Sequence, residues 1–201
     1  MKVLALLLGT SFLFMGCSET SESKKVEESS QRSNDQNTDQ YREKIEAQQQ
    51  ALEDEDRPQF EWPQVDYTKA VAKVNLNDDK DILKAVGKAA ADQEDATNQN
   101  GEPMQSYYFS KDLANYLRVD LSREYIDVAW AFDSKDPAKA TTAFEDGQRI
   151  TRALLGGQAG SALYENIAKG GKVNELHLED GTVIKNARCG QSMCRYQVER
   201  N

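Results

Sequence analysis

One histidine, three cysteines and a few glycine clusters are the residues of this 201-residue chain whose types and spacing suit chemistry. His177 stands between Glu175 and Glu179 at two-residue spacing. On a strand all three share a face, and a carboxylate there orients the ring for acid–base work. No serine elbow or free thiol accompanies them, so an exposed strand histidine is the simpler reading. Cys189 and Cys194 admit three readings. They suit a cross-strand disulfide, a metal site with His177 as its one available imidazole, or a redox pair lacking the usual Cys-x-x-Cys spacing. Gly156-Gly157-Gln158-Ala159-Gly160 and Gly170-Gly171-Lys172 lack the order of a phosphate loop and suit helix stops instead. No catalytic set, metal or cofactor is expected.

The elements that hold these residues follow from the apolar period. Asn77 suits a cap for a first helix, with Ile82, Val86 and Ala90 on its buried stripe. Asn100-Gly101 marks a turn. A second helix is expected over Ser110–Leu117. A third starts at Ser122, where Leu121 and Ile126 have the spacing of a hydrophobic staple and Ile126, Ala129 and Trp130 share a face. Asp136 caps a fourth helix with Pro137 in its first turn. Its stripe is Ala140, Phe144, Gly147, Ile150, Thr151 and Leu154, and Gly156-Gly157 ends it. A fifth carries Leu163, Tyr164 and Ile167 as far as Gly170-Gly171. Small residues on these faces allow close helix approach.

Beyond Gly171 the period falls to two. Leu176 and Leu178 alternate with Glu175, His177 and Glu179, and Asp180-Gly181 signals a two-residue hairpin turn. Placing Cys189 opposite Cys194 sets Ala187 against Tyr196 and Lys185 against Val198, with Leu178 against Val183. Leu176, Leu178, Val183, Ala187, both cysteines, Tyr196 and Val198 then share the packed face. Glu175, His177, Ile184, Asn186, Arg188, Arg195, Gln197 and Glu199 take the other. Arg188 and Arg195 are directly opposed near His177, so a counter-charge is expected, from this domain or from a ligand. The fold class predicted is α+β, mainly α. About five short helices over 66–171 pack with a three-stranded antiparallel meander over 172–200, closed by a disulfide.

The N-terminus is chemically distinct. Lys2 precedes an apolar run from Val3 to Met15, too short to span a bilayer as a helix, and polar sequence begins at Ser18. Phe14-Met15-Gly16-Cys17 resembles the lipobox of bacterial lipoproteins, with the match carried by Gly16 and Cys17. The resemblance implies cleavage before Cys17, acylation of that residue and membrane attachment through its acyl chains. It leaves one cysteine pair for an oxidising compartment. Ser18, rather than Asp, after the cysteine implies the outer membrane with the domain facing the periplasm. The expected organisation is signal peptide 1–16, acylated acidic tether 17–57, strap 58–65 and globular domain 66–201.

From Cys17 to Val65 there are 13 acidic and 6 basic residues, so much of the net charge of −9 sits in the tether. Such a polar segment buries too little to offset its ordering entropy. Gln40 to Asp54 carries only a sparse helical stripe. Pro58 and Pro63 bracket Phe60 and Trp62, which either pack on the domain or contact a partner. An acidic chain without a basic stripe argues against nucleic acid. The function expected is a non-enzymatic envelope lipoprotein that binds another protein, as an assembly accessory or an inhibitor of the immunity type. Candidate contacts are His177, Arg188, Arg195, Phe60 and Trp62. The alternatives are a small envelope hydrolase using His177 with nearby carboxylates, and a structural envelope-stabilising module.

Overall fold

The computed structural model describes residue 58 and residues 60–98 and 100–200. The signal sequence, Cys17, the tether and its sparse stripe lie outside the described residues. The described elements run α1 (Asp79–Ala85), β1 (Asp92–Thr97), β2 (Pro103–Tyr108), β3 (Tyr116–Ser122), β4 (Tyr125–Ala131), α2 (Pro137–Leu155), α3 (Gly157–Ala168), β5 (Val173–His177), β6 (Val183–Cys189) and β7 (Met193–Glu199). All strands join one antiparallel sheet in the order β1-β2-β3-β4-β7-β6-β5. The mainly α expectation is therefore wrong: strands outweigh helices, with three described helices in place of five and seven strands in place of three.

The correction centres on β3 and β4. Residues 110–115 form a loop, and the helix expected at Ser122 is strand β4. Leu121 and Ile126, the supposed staple, are cross-strand partners. Ile126, Ala129 and Trp130 fit a helical face, but Ile126, Val128 and Trp130 also alternate, as do Leu117, Val119 and Leu121. Both sets are buried. β-Branched and aromatic side chains favour the pleated solution. Ser122 uses its hydroxyl in the hairpin turn instead, accepting from the Tyr125 amide at 3.0 Å.

Helix ends follow local chemistry more closely. Asp78 caps α1, one place beyond the expected Asn77, accepting from the Lys80 and Asp81 amides. Gly87, at φ +79°, turns the chain before Ala90, which is exposed. Asp136 caps α2 as expected, with Pro137 opening it. Gly156, at φ +84°, breaks α2 from α3. Gly160 brings these two helices together: a Cβ there would stand 2.5 Å from the Thr151 carbonyl oxygen.

The helices cover one face of the sheet. α2 packs on β3 and β4, and α3 on β6. Trp130 is fully buried between them, edge-on to Phe144 and stacked on Tyr164 with ring centroids 6.2 Å apart. The segment before α1 straps the helices from outside. The Pro63 carbonyl accepts from Tyr164 Oη at 2.9 Å and Gln148 Nε2 at 3.3 Å, and the Val74 amide donates to the Ala153 carbonyl.

The C-terminal hairpin keeps Cys189 opposite Cys194, disulfide-bonded, and Arg188 opposite Arg195. Two local irregularities shift the rest. The first turn has three residues, Glu179-Asp180-Gly181, closing with the Leu178 amide on the Thr182 carbonyl, so Val183 faces His177 and not Leu178. In β6 the register slips between Lys185 and Arg188, with Asn186 at φ +55°. A bulge of this kind sets two residues against one and reverses the alternation beyond it. Ile184 thus turns into the core opposite Val198, and Leu176 is exposed at the edge.

Candidate functional site

The sheet face away from the helices has the opposite chemistry. Alternation in β3 that buries Leu117, Val119 and Leu121 turns Arg118 and Asp120 outward. In β4 it turns out Asp127 and Ala129, and in β7 Arg195 and Gln197. Registered strands line these residues up. One polar row crosses the whole sheet: Glu94, Ser106, Asp120, Asp127, Gln197, Lys185, Glu175. The next row holds Arg118, Ala129, Arg195 and Arg188.

The middle of these rows, from Asp120 to Lys185 and from Arg118 to Arg195, lines a concavity of about 470 Å³, with Met104, Met193 and Tyr125 as its less polar walls. That volume lies in the usual range for ligand sites. Gln197 Nε2 donates to Asp127 Oδ1 at 2.5 Å, and Asn186 Nδ2 to Gln197 Oε1 at 3.0 Å. Lys185 pairs with Glu199 and lies 6.0 Å from the Tyr125 ring centroid. Arg118 Nε is 3.1 Å from Asp120 Oδ2. Asp120 is only 3% exposed, and its Oδ1 makes no hydrogen bond of normal geometry among the described residues. Neither Arg188 nor Arg195 forms an ion pair there, although both are exposed.

Burial raises the carboxyls of Asp120 and Asp127 above the ordinary aspartate range. Arg118 opposes this most at Asp120, and Gln197 most at Asp127. The sign comes from linkage. The folded protein retains protons that the unfolded chain gives up between the unfolded value, about 3.9, and the raised folded values. The contribution of these two groups to stability falls as pH rises through that interval and is constant above it. Asp127→Asn keeps the acceptor for Gln197 and removes the charge. Thermal melts should show this variant gaining on the wild type from pH 4 to pH 7. An equal offset at both pH values would contradict the burial argument.

Of the residues expected to bind, Arg195 lines the concavity, and Arg188 pairs with it across the hairpin. His177 does not line it. It ends the edge strand β5, 67% exposed, with Nε2 2.7 Å from Glu175 Oε1. That contact holds the Glu175 carboxyl below its usual range, and Lys185 adds to the effect. Phe60 packs its ring on Phe132 and Phe144, at 5.6 and 5.0 Å, and Trp62 is half-buried against the same core. Sequence reasoning misses Arg118 and Asp120 because they fall between the helices expected to end at Leu117 and to start at Ser122, and it misses Asp127 because it places that residue inside the second of these. Period-two polarity in Arg118-x-Asp120 and Asp127-x-Ala129 is the signal that finds them.

The fold and face together define a two-layer, β-rich α+β protein, with helices on one side of an antiparallel sheet and an open polar concavity on the other. The chain matches no protein-family model, no curated protein and no solved structure. Among the described residues, no helix is long and apolar enough to cross a membrane.

Proposed function

We propose that this chain is a lipid-anchored bacterial envelope protein whose folded domain binds a partner protein through the open face of its sheet. The anchor rests on Met1 to Cys17, with its lipobox-like Phe14-Met15-Gly16-Cys17. Acylated Cys17 holds the chain at the outer membrane, and the acidic tether spaces the domain into the periplasm. The binding reading is non-enzymatic and rests on one observation: Arg195, which lines the concavity, has no ion pair among the described residues and is directly opposed by Arg188. A sheet face stabilised only for its own sake would pair or disperse them, because opposed like charges such as Arg188 and Arg195 are unfavourable. Arginine is also the cation best suited to an interface, through its planar fork and weak hydration.

The test uses the full-length tagged chain in its native bacterium, with mild cross-linking and identification of what co-purifies. A specific envelope protein should be recovered with the wild type and lost with Arg195→Glu. Glu145→Arg, an exposed change on α2, should retain it. Equal recovery by both variants, or no specific partner, contradicts the reading. Intact mass of the same preparation should show acyl chains on Cys17, and an unmodified Cys17 removes the anchor.

A further inference from the structure

The charge layout specifies more than a generic partner, and the ligand inferred from it depends on the open sheet face being the binding surface. Three features of the concavity constrain that ligand. Asp120 Oδ1, on a residue 3% exposed, is an acceptor without a well-placed donor. Arg195, with Arg188 directly across from it, is a cation without an ion pair among the described residues. Asp120 belongs to β3 and Arg195 to β7, with β4 between them.

We propose that the concavity binds a short extended peptide segment bearing a carboxylate, with that carboxylate on Arg195 and Arg188 and a backbone N–H of the same segment on Asp120 Oδ1.

Spacing favours a peptide over a free anion. Two strand separations across the sheet and a two-residue offset along it put the two anchors roughly 12 Å apart. An extended chain covers that in about four residues, at roughly 3.3 Å each. Charge favours a carboxylate over a phosphate. The guanidinium fork suits both, but Asp127, between the anchors, and Asp120 itself repel a dianion more strongly than a monoanion. Ser106 and Arg118 stand beside the Asp120 carboxylate without a well-directed bond to Oδ1, a peptide N–H supplies one, and an unmet buried acceptor is costly until one arrives. Met104 and Met193 are flexible enough to fit varied neighbouring side chains. The carboxylate belongs either to a chain terminus or to an Asp or Glu side chain, and the probes separate these sources.

The experiment titrates the full chain in detergent micelles, followed by NMR of the arginine Nε–H and methionine methyl signals. The probes are acetyl-Ala-Ala-Ala with a free terminus, the same peptide amidated, amidated acetyl-Ala-Glu-Ala, and inorganic phosphate. A free-terminus peptide that shifts Arg195 and Met193, with the neutral amide at least about tenfold weaker, supports a terminal carboxylate. Equal binding by the amidated glutamate peptide supports a side-chain source. Arg195→Gln, which removes the charge, and Asp120→Leu, which removes the acceptor, each first shown to melt cooperatively, should weaken the binding peptide by a similar factor. The proposal falls if the neutral amide binds as well as the acids, if phosphate binds more tightly than every peptide, if no probe shifts these signals, or if both variants bind like wild type. Should the peptides fail while the cross-linked partner still depends on Arg195, this inference is lost and the broader binding reading stands.

Discussion

Ile184→Asp should unfold or nearly unfold the domain, whereas Val183→Asp should leave it folded. Ile184 is completely buried and sits opposite Val198. Its replacement loses an apolar side chain and places a carboxylate among Leu, Val and aromatic groups with no partner. Core truncation alone costs about 2–5 kcal/mol, and an unpaired buried charge adds to it. A loss of about 4 kcal/mol or more is expected, a large part of the stability of an ordinary domain. Val183 faces outward opposite His177, where an added carboxylate meets solvent. Urea unfolding of the two variants reads the difference. An uninterrupted β6 ladder would give the reverse order, because it turns Val183 inward and Ile184 out. The bulge at Asn186 and Ala187 is therefore tested by two adjacent residues.

Gly147→Ala should cost about 3 kcal/mol, the upper end for overpacking by a single methyl. A Cβ on Gly147 would stand 2.5 Å from Trp130 Cδ2, with Cε2 and Cε3 at 2.8 and 2.9 Å. The indole cannot retreat, because Phe144, Tyr164 and Tyr196 ring it. Helix propensity works the other way, since alanine is the better helix former by up to about 1 kcal/mol. A measured destabilisation therefore reports the clash and not the backbone. Pairing the change with Trp130→Leu should relieve it, so the double variant should be more stable than the summed single costs imply. Additive costs would show that Gly147 and Trp130 do not share this contact.

The same two positions show what the sequence could disclose. Periodicity alone places Gly147 on the buried stripe of α2, because a 19-residue amphipathic helix with an Asp136-Pro137 start and a Gly156 stop is specified locally. Its partner Trp130 reads as helical by the same rule, and wrongly. In Ile126-Asp127-Val128-Ala129-Trp130-Ala131, alanines fill the outward positions and are themselves buried, which blurs the contrast between periods of 2 and 3.6. β1 discloses less still. Asp92–Thr97 is exposed along nearly its whole length, so no apolar alternation marks it, and only pairing with β2 makes it a strand. The disulfide hairpin is legible because Cys189 and Cys194 fix their own register. Beyond it, parity is lost at a bulge whose only hint is Asn186, a residue that tolerates positive φ.

The site divides the same way. Counting outward from the cysteines places Arg188 and Arg195 opposite one another. Arg118, Asp120 and Asp127 join them only once β3 and β4 are strands beside β7, a long-range pairing that no local spacing encodes. His177, the residue with the most chemistry by type, lies at the edge of the sheet.

The most direct measurement places a photo-cross-linking amino acid at Met193, inside the concavity, and at Glu145, on the exposed side of α2, in the otherwise native full-length chain. Illumination of living cells should join the Met193 variant to one identifiable envelope protein, with the Glu145 variant giving no such product. Cross-links to that protein from Glu145 and none from Met193 would show that the helix layer does the binding, and would contradict the account.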